Sequence, residues 1–250
     1  MDWKLTKSLF IAAFLLMNLV LIYILYNESN EEVRELAETT NVLSETNIDT
    51  SALDGLENVQ MQIIIGDPAE LDHEEDMSEE DMSENDTVLT LPLDDTITFA
   101  PEGLKTYKDN SIYRGEEYHY DKVMSTPDTI TFNQHYDGYP IFSHEAARLY
   151  FSEESGSMTQ GYVENIEESD YAVEQNVRHP KVIVEELYMQ ENITDNAVIE
   201  SAVLGYYIIL EEDDQIMMRP KWQFDITDEG IERILYIDAL SQTEDIIERE

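Results

Sequence analysis

Residues 197–239, AVIESAVLGYYIILEEDDQIMMRPKWQFDITDEGIERILYIDA, decide the fold class of this chain. Three segments within this stretch are rich in β-branched and aromatic residues, and acidic or glycine-containing breaks separate them. The segments are 197–210, 215–226 and 231–239, with breaks at 211–214 and 228–230. Such runs joined by short polar turns are typical of neighbouring strands. The stretch therefore predicts three consecutive antiparallel strands.

The segment before these strands has the spacing of a helix. In 182–190, VIVEELYMQ, the apolar residues Val182, Ile183 and Leu187 fall on one helical face, although the segment begins with β-branched residues. A helix with one apolar face needs a sheet or another helix to cover it. Residues 171–245 are therefore predicted to form a lobe of one helix and an antiparallel sheet.

A similar lobe is predicted for residues 59–170. Strand patterns occur at 59–65 (VQMQIII), 87–91, 96–99, 111–123, 129–136 and 158–166, with turn residues at 66–68, 92, 101–103, 109–110 and 127–128. Ser143 can cap a short helix over 144–151, followed by a turn at 153–157. The chain is thus predicted to be α+β, with two helix-plus-antiparallel-sheet lobes.

The charge balance excludes several classes of partner. The chain of 250 residues has 56 acidic and 14 basic side chains, a net charge of −42, and no cysteine. Nucleic acid phosphates and anionic lipids would be repelled by this surface. The absence of cysteine excludes disulfides, a thiol nucleophile and cysteine zinc sites. The acidic exterior is interpreted as a solvated surface, and docking of a basic partner is the alternative.

The most acidic segment, residues 69–87, reads AELDHEEDMSEEDMSENDT. It has too little apolar surface to offset the entropy of ordering, so we expect a disordered loop. A calcium site is the alternative, but the glycine of the EF-hand loop is missing.

The N-terminal apolar run 9–26, LFIAAFLLMNLVLIYILY, is long enough for one membrane-spanning helix. A cleaved signal peptide is the competing interpretation, but this run exceeds a signal core and lacks a small-residue cleavage site after it. Lys4 and Lys7 precede the run and acidic residues follow it, which places residues 1–8 in the cytoplasm. Residues 27–58 are then predicted to be a stalk, and residues 59–250 an extracellular domain at the cell membrane.

Asn18 is the strongly polar residue inside this apolar run. Asparagine in membrane helices commonly forms hydrogen bonds across to a neighbouring helix, whereas tolerance on a lipid-facing side is the alternative. On a heptad pattern one face carries the predicted contact stripe: Ile11, Phe14, Asn18, Leu21 and Leu25.

The sequence gives no catalytic pattern, cofactor motif or metal motif. It contains no HExxH, no GxSxG and no phosphate-binding glycine loop. His135 is interpreted as a structural strand residue because no second histidine has ligand spacing along the chain. Tyr206, Tyr207 and Trp222 could form a glycan platform, but strand aromatics more often pack in the core. We therefore expect no enzymatic activity.

Several segments carry a family resemblance. The N-terminus MDWKLTKSLFIAAFLLMNLVLIYILYN (1–27) resembles the start of YycI (WalI) proteins, which open with Met-Asp-Trp, a basic residue and one membrane helix with a central asparagine. FNQHYDGYPIF (132–142) is similar to the family's Gln-x-Tyr-x-Gly-x-Pro-Ile-Phe segment. LGYYIIL (204–210), RPKWQFDI (219–226) and YIDALS (236–241) follow in the family's order, whereas the acidic segment 69–87 departs from it. The C-terminal segment also resembles a PepSY-type lobe.

This resemblance implies a regulatory function without catalysis. YycI-type proteins act with a related protein, YycH, at the membrane of Gram-positive bacteria, and together they adjust the sensor histidine kinase YycG (WalK) of a cell-wall two-component system. Membrane helices and outer domains are the expected contacts. The alternative hypothesis is an extracytoplasmic module that binds a cell-wall fragment, a peptide or a cation.

Overall fold

The computed structural model describes residues 7, 11, 13–20, 39, 42–56, 59–71, 88–93, 97–142, 145–169, 172–212, 215–242 and 246–249. This part of the chain is a mixed α and β structure that is mostly sheet. The helices with defined bounds are α1 (Pro101–Ser111) and α2 (Pro180–Met189). The strands are β1 (Gln60–Met61), β2 (Ile64–Pro68), β3 (Val88–Pro92), β4 (Tyr118–Tyr120), β5 (Thr129–Tyr136), β6 (Tyr139–Phe142), β7 (Arg148–Ser152), β8 (Ser157–Gly161), β9 (Val163–Glu168), β10 (Gln175–Asn176), β11 (Val198–Glu212), β12 (Gln215–Asp228), β13 (Ile231–Asp238) and β14 (Ile247–Arg249).

The three C-terminal strands form as the sequence predicts. β11, β12 and β13 pair antiparallel in order, and β14 adds to the outer edge of β13. Alternate residues of β12 and β13, including Phe224, Ile226 and Leu235, are fully buried against the apolar face of α2. These side chains belong to one cluster of buried hydrophobic residues. The same cluster contains Leu43 and Ile48, which lie within the stretch 27–58 predicted as stalk.

The N-terminal half has its own sheet and its own core. β3, β8, β7 and β5 are adjacent in that order, and β4 pairs with the opposite edge of β5 at residues 132–134. Leu104 of α1 packs with Phe132, Leu149 and Phe151 in a second cluster of buried side chains. α1 thus supplies the helix of this half.

Two strands of the N-terminal half cross to the C-terminal sheet. β6 forms a hairpin with β5 and pairs parallel with β11, at Ile141 with Tyr206 and Phe142 with Tyr207. β2 pairs antiparallel with both β9 and β12. Across the described residues, these crossings join both halves into one 12-stranded sheet.

Several predictions of local structure are wrong. Residues 97–99 of the strand predicted at 96–99 have no strand structure, and only Tyr118–Tyr120 of the strand predicted at 111–123 is a strand. Residues 148–152 are the strand β7 after a short 3-10 turn at Glu145–Ala147, because Leu149 and Phe151 alternate into the core with a period of two. Residues 101–111, interpreted as turns and the start of a strand, form α1, in which Leu104 and Lys108 are buried on one face. The predicted turn at 66–68 is the end of β2. Ser143 and His144 lie outside the described residues.

The predicted membrane span is only partly within the described chain. Residues 13–20 are helical, and the side chains of Phe14 and Leu19 are 67% exposed. In the residues that the structure describes, no helix combines the length and the apolar character required to cross a bilayer. Most of the acidic segment, residues 72–87, lies outside the described residues.

Candidate functional site

The predicted contact stripe is described at three of its five residues. Ile11 and Phe14 are exposed, and Leu21 and Leu25 lie outside the described residues. The Asn18 amide donates a 2.8 Å hydrogen bond from Nδ2 to the carbonyl oxygen of Phe14, one turn earlier. One donor of Asn18 is therefore satisfied within its own helix, and the role of the stripe in partner binding stays a prediction.

The segment 132–142 builds the junction between the two sheets. Asp137 and Gly138 have φ of 49° and 84°, the left-handed values of a two-residue type I′ turn, and they join β5 to β6. Gln134, which is buried, accepts from the backbone N–H of Val163 at 2.8 Å and donates to its carbonyl at 2.7 Å. The Gln134 side chain therefore satisfies both backbone polar groups of Val163.

Gly205 lets β6 approach β11. A Cβ at this position would lie 2.4 Å from the carbonyl oxygen of Pro140 and 2.6 Å from the ring of Phe142. Any side chain at residue 205 would therefore push β6 away from its parallel partner.

A cavity of about 610 Å³ lies beside this junction, and we call it the edge cavity. Its volume is within the range of small-ligand sites. Apolar walls come from the N-terminal segment, β6, β11 and β12: Leu56, Val59, Tyr139, Phe142, Val203 and Trp222. A few polar side chains face the same space: His119, Lys122, Asn133, His135 and Gln223.

A buried carboxylate fixes the orientation of Asn133. Oδ1 of Asp121 accepts the backbone N–H groups of Val123 and Met124, both at 3.0 Å. Oδ2 of Asp121 accepts Nδ2 of Asn133 at 2.6 Å. Asn133 is 3% exposed, and its Oδ1 has no hydrogen-bond partner. Asn133, which lines the edge cavity, thus carries a buried hydrogen-bond acceptor of fixed orientation.

His119 and His135 are stacked in the edge cavity, with ring centroids 4.1 Å apart. β4 and β5 pair so that His119 is opposite Asn133, which places His135 diagonally from it on the same face. Burial and the neighbouring His119 lower the pKa of His135 to about 4. Burial and the charges of Lys108 and Lys105 also lower the pKa of His119. Both rings are therefore neutral near pH 7.

The neutral state of His135 predicts acid sensitivity. Its pKa of about 4 lies below the ordinary 6.5, so between these values the unfolded chain binds a proton that the folded chain excludes. The contribution of neutral His135 to the free energy of unfolding is fully present above pH 6.5, and it is lost as the pH falls to 4. A pKa difference of this size corresponds to about 3 kcal/mol in the free energy of unfolding. Solvent screening of the half-buried ring reduces this to about 1–2 kcal/mol.

Urea unfolding of the full-length protein and of His135→Gln at pH 7.5 and pH 4.5 tests this expectation. The difference in free energy of unfolding between the two proteins should change by about 1–2 kcal/mol from pH 7.5 to pH 4.5. The change should favour the variant at pH 4.5. Parallel loss or gain of stability in both proteins would contradict it.

The histidine pair cannot be found from the spacing of histidines along the chain, because His119 and His135 are 16 residues apart and meet only across two strands. The pairing register of β4 with β5 is the signal that brings them together. Within the described ranges, no group of three histidine or acidic side chains is placed to hold a metal ion. Tyr206 and Trp222 are buried, and the indole N–H of Trp222 donates to the carbonyl oxygen of Arg178 at 3.0 Å, so they do not form an exposed platform.

Comparisons with known proteins identify the family. No curated protein matches the chain. Among solved structures, the chain is similar to an uncharacterized protein from Eubacterium rectale ATCC 33656, with 13% identity, 52% of this chain and 45% of that chain covered, and a TM-score of 0.30. This chain therefore spans less than half of that protein, and the score is too low to indicate a shared fold. A sequence model of the family described as YycI protein matches residues 27–240, which is nearly the whole chain. The chain belongs to the YycI family.

Proposed function

We propose that this protein is a single-pass membrane regulator that acts with a YycH-like partner on a sensor histidine kinase of the YycG (WalK) type. The family match over residues 27–240 carries the proposal, because YycI membership indicates regulation of this two-component system. The N-terminus lies in the cytoplasm and the sheet domain lies outside the cell. The regulation needs no catalysis, since a helix that packs better on one kinase conformer shifts the population of kinase states.

The apolar run 9–26 supports the membrane part of the proposal, because it precedes the matched region and has the basic-before-acidic flanks of an N-in anchor. Asn18 keeps one amide donor and its carbonyl oxygen for another helix after bonding to Phe14. The stripe of Ile11, Phe14, Asn18, Leu21 and Leu25 is therefore proposed as the surface that contacts the kinase helix.

Exchange of Asn18 for leucine tests the stripe. Interhelical hydrogen bonds in membranes contribute about 0.6–1.7 kcal/mol, so co-purification of the kinase from membranes should fall roughly 3- to 18-fold, with a matching change in kinase output. Binding of the YycH-like partner should persist, because the outer domain is unchanged.

Leu16→Ile is the control, since residue 16 lies on the opposite side of the helix from residue 18 and should change neither measurement. Unchanged kinase recovery and unchanged output in Asn18→Leu would remove the helix contact from the proposal.

A second candidate function is an extracytoplasmic binding module for a cell-wall fragment, a peptide or a cation. The edge cavity favours it, because apolar walls and a few convergent polar groups are the usual composition of a ligand site. Binding of such a ligand by a protein that recovers no kinase from membranes would favour this candidate over the first.

A further inference from the structure

The outer edge of β11 has a gap in its strand pairing. Near its start, Asp49 bridges Val198 in parallel, and the N–H of Ile199 donates to the carbonyl oxygen of Asp49 at 2.9 Å. Near its middle, β6 pairs from Tyr206 onwards. In the described part of the chain, no strand pairs with this edge between the two points, a distance of roughly 26 Å at about 3.3 Å per residue.

The edge cavity opens onto this gap. Ala202, Val203 and Leu204 of β11 line the cavity, and the side chain of Val203 is 38% exposed. An open strand edge presents backbone N–H and C=O groups that another extended chain can pair with. The apolar walls beside it offer space for a side chain of that added chain.

Asn133 requires a hydrogen-bond donor from the ligand. Because its Nδ2 donates to the carboxylate of Asp121, the amide cannot be flipped without placing two oxygens together. Its Oδ1 therefore remains the free group, and it requires a donor. A peptide bond supplies such a donor through its N–H group.

The cavity lining carries no excess of either charge. Both histidines are neutral near pH 7, so they offer hydrogen bonds without a net charge. One basic and one acidic side chain, Lys122 and Asp121, also line the cavity and balance in formal charge.

We propose that the edge cavity binds a short extended peptide segment with an apolar side chain, which pairs with the open edge of β11 and donates an amide N–H to Oδ1 of Asn133. The peptide adds a strand between the Asp49 bridge and β6, and its apolar side chain packs against Phe142 and Trp222. This inference concerns ligand binding and does not depend on kinase regulation.

The test uses the full-length protein in detergent and a pool of acetylated, amidated hexapeptides with every apolar residue represented at alternate positions. Hydrogen exchange of the backbone amides of 201–204 is measured with and without the pool. The pool should slow exchange in this segment about tenfold or more. A matched pool with N-methylated backbone amides, which cannot donate, should give no protection.

Two valine variants complete the experiment. Val203→Glu places a charge in the cavity mouth and should weaken binding of the pool about tenfold or more. Val173→Glu changes a valine that is 74% exposed and outside the cavity, and it should leave binding unchanged.

Four results would overturn the proposal. No protection of 201–204 by the pool means that no added peptide strand pairs with this edge. Full protection before the pool is added means that this chain or a second copy already covers the edge. Equal binding of the N-methylated pool means apolar adsorption without strand pairing. Equal weakening by both valine variants means that added charge, and not the cavity, controls binding.

Discussion

Replacing Gly205 with valine is expected to lower the free energy of unfolding by about 3–4 kcal/mol. The added Cβ would meet the carbonyl oxygen of Pro140 at 2.4 Å and two ring atoms of Phe142 at 2.6 and 2.7 Å. Overpacking a core usually costs about 1–3 kcal/mol, and the cost rises when the obstacle is backbone that cannot rotate away. Relief requires β6 to separate from β11, which breaks the parallel pairing at Tyr206 and Tyr207.

Urea unfolding followed by circular dichroism measures this loss. Gly230→Ala is the control, because nothing lies within 4 Å of a Cβ there and only its φ of 81° opposes a side chain. That strain costs about 1–2 kcal/mol. A Gly205→Val protein that loses no more stability than Gly230→Ala would show that β6 and β11 are not in close contact.

Replacing Gln134 with leucine is expected to cost about 2–4 kcal/mol. Leucine fills similar space but leaves the N–H and the carbonyl oxygen of Val163 without the partners that Gln134 provides. Each unsatisfied buried polar group costs about 1–3 kcal/mol. Gln134→Glu should be at least as damaging near pH 7, because it buries a charge and turns an oxygen towards the Val163 carbonyl.

Gln60→Leu provides the matched comparison for the same unfolding measurement. Gln60 is exposed, and its Nε2 donates to Oδ1 of Asn176 at 2.9 Å across β1 and β10. We expect a change within about 0.5 kcal/mol at this surface position. Similar losses in Gln60→Leu and Gln134→Leu would contradict the role of Gln134 as the hydrogen-bond partner of the Val163 backbone.

The C-terminal sheet could be predicted from sequence because its signals are local. β11, β12 and β13 each have a long run of β-branched and aromatic residues, and Asp228-Glu229-Gly230 marks one of the turns. α2 was predicted for a similar reason, since its apolar spacing fits a single helical face. Neither prediction required knowledge of distant contacts.

The errors in the N-terminal half arose where tertiary packing overrides local preference. Pro101 and Gly103 suggest a turn, but Pro101 is at the first helical position and the Gly103 backbone lies against Thr98, where a Cβ would be 2.6 Å from its carbonyl oxygen. At 148–152, burial of alternate residues against α1 favours a strand over a helix. Asp137-Gly138 is a local signal of the β5–β6 hairpin, which could therefore have been predicted from sequence.

The edge cavity could not be predicted from the chain because its residues come from separate segments. His119 and His135 meet only through the register of β4 and β5, and the open edge exists only because β6 starts its pairing at Tyr206. By contrast, the YycI resemblance identified the family without any of this geometry, since it depends on the order of short segments.

The pairing of β2 and β6 with strands of the other half makes the two halves depend on each other for folding. β2 covers residues 216–218 of β12, and β6 covers residues 206–207 of β11. A truncated gene product that began at residue 171 would present both bare edges to other chains, with Ile216 and Met218 uncovered, and would be prone to aggregate. The two halves should therefore fold only together.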